Sequence, residues 1–131
     1  MRLAFAALAL LFSAPAWADD CQNAQSQIQL DDCAAKALSD ADKKLNEAYQ
    51  KIEKRLAGDP DTKKLLVTAQ RAWVAFRDAE CTFQSSGVAG GSIYPMTFSN
   101  CQAALTNARL QDFQTYLSCQ EGDDSCPVPA Q

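Results

Sequence analysis

The sequence predicts an all-α fold: a small disulfide-stapled bundle of three main helices, with a long antiparallel helical hairpin. Three observations carry that expectation. Apolar residues recur at three-and-four spacing through three separate segments. Glycine, proline and capping residues fall between those segments. The six cysteines all lie downstream of residue 20.

The N-terminus reads as a secretory signal over residues 1–18. Arg2 supplies the positive start, Leu3 to Phe12 is apolar throughout, and Ala16-Trp17-Ala18 is a small-residue cleavage pattern. The apolar run is shorter than the roughly 20 residues that a spanning helix needs. Asp19 and Asp20 separate Cys21 from the cleavage point, which argues against a lipid anchor on that cysteine. The expected location is therefore periplasmic or secreted, with no membrane insertion. Removal of the first 18 residues leaves 113 of the 131, enough for one domain. The expected organisation is a helical domain over 19–118, followed by a disulfide-looped, otherwise flexible tail over 119–131.

Composition narrows the chemistry. Losing Arg2 takes the net charge from −4 to −5, a modestly acidic balance that disfavours nucleic acid and anionic membranes. It suits a basic protein partner, and it equally serves solubility. There is no histidine and no C-x-x-C pair, so six cysteines behind a secretory signal read as disulfides rather than as a zinc site. No cofactor or metal is expected.

The first helix is marked by Leu30, Ala34, Ala37, Leu38, Ala41, Leu45, Ala48, Tyr49, Ile52 and Leu56, with Ser26 and Gln29 as a capping box. Its other face carries Lys43, Lys44, Glu47, Lys51, Glu53 and Lys54, a solvated face. Gly58 is placed to end it in a left-handed conformation, Asp59 to cap the next helix, and Pro60 to open it. So short a connection implies an antiparallel hairpin. The second helix shows Leu65, Leu66, Ala69, Ala72, Trp73, Phe76, Ala79 and Phe83, a heavier stripe that suits the central helix of a bundle. Ser85 to Phe98 reads as a loop, with Tyr94-Pro95 disfavouring helix. Ser99 and Gln102 form a second possible capping box for a helix through Leu105, Ala108, Phe113, Tyr116 and Leu117. Beyond Cys119 the polar, proline-bearing tail is expected to leave the core.

Six cysteines allow many pairings. Sequence alone leaves the connectivity open; position along the chain suits Cys81–Cys101 across the loop, Cys119–Cys126 around the tail, and Cys21–Cys33 if the chain bends before Leu30. A straight helix would part that last pair by about 18 Å.

Catalytic constellations are scarce. Without histidine the commonest general base is absent, and oxidised cysteines offer no thiol nucleophile. Asp42, Asp78 and Glu80 are the nearest candidates for a glycosidase-like carboxylate pair, and salt bridging explains them as well. The chain is not expected to be an enzyme. Gln70, Arg77 and Asp78 flank the apolar stripe, where polar groups must find partners. With Asp42, Asn46 and Arg109 they suit an interhelical polar network, or a ligand-binding cluster. The second candidate site is Gly90, Gly91, Ser92, Ile93, Tyr94 and Met96, on a loop stapled at its base. Ile93, Tyr94 and Met96 suit a partner contact and equally suit folding back over the bundle's end.

Taken together, these residues resemble a known family. Cys21 and Cys33, Ala41-Asp42 with Leu45-Asn46 and Tyr49, Gln70-Arg71-Ala72-Trp73 with Phe76-Arg77-Asp78 and Cys81, Gly90-Gly91-Ser92, and Cys101 with Thr106 and Arg109 resemble the LprI-type lysozyme inhibitors. These are small exported bacterial proteins. The resemblance spans Cys21 to Leu117 and implies a helical, disulfide-bearing protein that binds and inhibits lysozyme; a projecting loop or helix end that fills the sugar cleft is the expected, steric mode. The family pattern has four cysteines, matching Cys21, Cys33, Cys81 and Cys101; Cys119 and Cys126 depart from it. A non-inhibitory envelope interaction module would share the same features.

Overall fold

The computed structural model describes residues 21–130, so the expected signal peptide lies outside the described residues. Three helices account for most of what is described: α1 (Gln27–Arg55), α2 (Pro60–Gln84) and α3 (Tyr94–Leu117), with a 3-10 turn at Ser86–Val88 before α3. α1 begins where local chemistry dictates. The Ser26 hydroxyl accepts from the Gln29 amide at 3.2 Å, and the Gln29 side chain accepts from the Ser26 amide at 3.1 Å. α2 begins on Asp59, whose carboxylate accepts from the Thr62 amide at 3.0 Å, with Pro60 in the first turn.

α1 and α3 run in parallel, side by side. Gln27 at the start of α1 meets Met96 at the start of α3, and Arg55 at the end of α1 donates to the Leu117 carbonyl at 2.8 Å. That last bond puts a cation on an otherwise unpaired helix-end carbonyl. These two helices are the closely packed pair. Ala34, Ala41 and Ala48 recur every seven residues on α1 and are buried, as are Ala103 and Thr106 on α3. Small side chains at buried positions of both helices let the two backbones approach. α2 returns antiparallel along the pair, held by Lys63 to Glu53 at 3.6 Å and Arg77 to Asp42 at 2.9 Å.

The main apolar core is Leu45, Ala48, Ile52 and Leu56 of α1 with Phe113 of α3 and Val128. Tyr49, Leu66, Trp73, Leu110, Tyr116 and Leu117 pack against it. Disulfides join Cys21 to Cys33, Cys81 to Cys101 and Cys119 to Cys126, with Cα separations of 5.7, 5.6 and 6.1 Å. The first closes because residues 23–26 are not helical.

Several expectations need correction. α2 is not the central helix: its one buried residue is Cys81, and Leu65, Phe76 and Phe83 of its stripe are exposed. α1, whose stripe looked lighter, supplies most of the core because its alanines admit a close neighbour. Gly58 is not left-handed; α1 ends at Leu56 with φ −88°. Tyr94-Pro95 does not delay α3 but starts it, since a first-turn proline loses no helical hydrogen bond. Ser99 and Gln102 therefore sit inside α3 and cap nothing. The tail returns to the core at Val128, which is 3% exposed.

Candidate functional site

Two groups of side chains stand out, one between the helices and one at the end of the bundle. The interhelical group centres on Arg77 of α2. Its Nε donates to Asp78 at 3.0 Å, and its Nη1 donates to Asp42 of α1 at 2.9 Å and to the Thr106 hydroxyl of α3 at 3.2 Å. Gln102 donates to the same Asp78 oxygen at 2.8 Å. The guanidinium also lies over the Trp73 ring, 5.3 Å from its centroid. One turn further along α3, Arg109 donates to Gln70 at 3.2 Å and covers the Phe113 ring at 4.7 Å.

The structure thus brings Asp42, Arg77 and Asp78 into one cluster and Gln70 and Arg109 into a second. Asn46 is exposed and joins neither. Gln102, expected as a capping residue, and Thr106 are further participants that the sequence did not place in this network. Both are buried, four residues apart on the inner face of α3. Two polar residues at that spacing inside an apolar stripe were the available signal. Asp42 and Asp78 share one arginine, and Glu80 accepts from Gln84 at 2.9 Å, so the three carboxylates are engaged in structural pairs.

The second group is the end of the bundle where α1 and α3 both begin. Gly90 turns the chain at φ +76°, a conformation that favours glycine. Gly90, Gly91, Ser92 and Ile93 are exposed, Ile93 by 40%. Tyr94 and Met96 belong to the first turn of α3 and are half-buried. Tyr94 stacks on Phe98 with centroids 5.7 Å apart, and the Met96 sulfur lies 3.9 Å from the Gln27 amide nitrogen. Ile28 of α1, beside Gln27, is 75% exposed and adds to the apolar character of this end. Its exposure could not be read from the sequence, because residue 28 precedes the periodic stripe.

Titration behaviour follows from local contacts. Hydrogen bonds from Thr62, first its side chain and then its amide, hold Asp59 below the usual aspartate value. Burial raises the Tyr49 phenol, and the nearby Glu53 charge acts in the same direction. Among the described residues no group of three His, Cys, Asp or Glu could hold a metal ion. None of the described helices is long and apolar enough to cross a membrane.

The described chain is thus a disulfide-stapled three-helix bundle with an arginine-centred polar network and an end that exposes Ile28 and Ile93. The family model described as "Lysozyme inhibitor LprI" matches residues 18–113, and the chain belongs to that family. A relative, an uncharacterized protein of Rhizobium meliloti (strain 1021), is 37% identical over 139 residues, covering 92% of this chain and 99% of the relative. The crystal structure of a DUF1311 family protein from Pseudomonas putida KT2440 superposes with a TM-score of 0.62 at 22% identity. It covers 66% of this chain and 89% of that one, and supports the fold.

Proposed function

We propose that the protein is a periplasmic or secreted inhibitor of lysozyme, acting by steric occupation of the enzyme's cleft. The observation that carries this reading is membership of the lysozyme-inhibitor family over residues 18–113. The physics is compatible. Vertebrate-type lysozymes are basic, and a net charge of −4, or −5 once Arg2 is removed, favours encounter with a basic enzyme. A rigid scaffold lowers the entropic cost of presenting a contact surface.

The contact is assigned to the bundle end formed by Gly90, Gly91, Ser92 and Ile93, flanked by Ile28, with Tyr94 and Met96 at its rim. Exposed apolar residues held on two helix starts would enter a concave site without reorganising. Replacing Ile93 by Asp tests the surface. It should weaken inhibition of wall lysis by about 30-fold or more while the helical circular dichroism stays unchanged. Full inhibition by Ile93→Asp and Ile28→Asp together would remove this end from the contact. Lack of inhibition by the unaltered protein, with capture of another envelope protein, would instead identify a non-inhibitory interaction module.

A further inference from the structure

α2 has two apolar faces, and the bundle uses only one. Leu66, Trp73 and Cys81 turn inward with Arg77. On an adjoining face, Leu65, Ala69, Ala72, Phe76, Ala79 and Phe83 recur by alternating steps of four and three, a heptad seam. Every one of the six is exposed. Leu65 is 68% exposed, Phe76 54% and Phe83 74%. The seam runs about 27 Å along the helix. A continuous apolar row of that length on a soluble protein marks an interaction surface.

We propose that this seam pairs two copies of the chain, α2 against α2, antiparallel about a twofold axis midway between Ala72 and Phe76. That orientation sets the central phenylalanine of the seam against alanine rather than against its own copy. Antiparallel pairing sets Phe76 opposite Ala72, Ala69 opposite Ala79, and Leu65 opposite Phe83. Parallel pairing would set Phe76 on Phe76 and Phe83 on Phe83, ring against ring. Charge agrees with the antiparallel choice. Leaving aside Lys63, Arg77 and Asp78, which are ion-paired within the bundle, residues 60–72 of α2 carry Asp61, Lys64 and Arg71, net +1, whereas residues 73–84 carry Glu80, net −1. Antiparallel helices oppose the unlike halves, and their dipoles oppose as well.

A cavity completes the fit. An open apolar space of about 210 Å³ lies beside Leu65 and Ala69, backed by Ile52, Leu56, Tyr116 and Val128. It is at the end of the seam where the partner copy's Phe83 arrives. A seam of this length buries on the order of 1,000 Å² in total, near the lower limit for a specific interface, which places the pair among weak, reversible dimers.

Sedimentation of the oxidised protein over about 5 to 500 µM should show a monomer–dimer equilibrium within that range. Phe76→Glu and Ala72→Glu should each weaken it by roughly 30-fold or more, with helical content unchanged because both positions are exposed. A benzoylphenylalanine at position 83 should photo-crosslink to the tryptic peptide Leu65–Arg71 of the other copy. A monomer throughout the range overturns the proposal. So does crosslinking between the two position-83 peptides, which would mean a parallel pair. Loss of lysozyme inhibition in Phe76→Glu, with the unaltered protein monomeric, would make the seam a lysozyme contact and also overturn it.

Discussion

Arg77 is the residue that ties the three helices to one register. Its side chain is 12% exposed, and it reaches Asp42 on α1, Asp78 on its own helix and the fully buried Thr106 on α3. Arg77→Leu leaves the Thr106 hydroxyl and the Asp78 carboxylate short of partners, at a cost of about 1–3 kcal/mol. Arg77→Lys should recover only part of this, because an ammonium cannot reproduce the planar fork. Urea unfolding would read both as a lower midpoint with an unchanged slope; a leucine variant as stable as the parent would contradict the assigned role. Asp59 makes a pH-dependent contribution. Its folded value lies below the ordinary 3.8, so the cap contributes fully above 3.8 and is lost as pH falls through the lower folded value. Asp59→Asn should therefore lower the melting temperature less in acid than at neutral pH.

At the scale of elements, α1 and α3 are the closely packed pair, and small side chains are buried on both: Ala34, Ala41 and Ala48 on α1 and Ala103 on α3. Ala41→Leu should destabilise by about 1–3 kcal/mol through overpacking. A chevron or melting comparison showing no loss would mean the helices have room to separate. Opening Cys81–Cys101 by a double serine substitution releases a 20-residue connection and should cost about 3 kcal/mol. Helix starts were legible because their chemistry is local: Ser26 with Gln29, and Asp59 with Pro60, need only their own neighbours. The rank of α2 was not legible. A helix with apolar residues on two adjoining faces has the same one-dimensional pattern whether one face or both are buried, and the alanines of α1 look weak until a partner helix is seen against them. Tyr94-Pro95 misled for a related reason, since proline both ends a helix and opens one.

At the scale of the whole molecule, the parallel α1 and α3 bring their starts to one end, where Gly90 to Ile93 and Ile28 are exposed. The polar network was anticipated as a group of residue types, whereas the makeup of the end was only partly anticipated. Whether Tyr94 and Met96 project or fold back depends on where α3 begins, and it begins one residue before the proline. Association of an acidic protein with a basic enzyme should slow as salt rises, and stopped-flow rates across ionic strength would read that slope. The most direct measurement of the central claim is titration of the purified, oxidised protein into hen-type, goose-type and invertebrate-type lysozymes acting on cell-wall suspensions. The account predicts that lytic activity of one class falls to near zero close to equimolar protein. Undiminished lysis by all three classes at about tenfold excess of micromolar protein would contradict it.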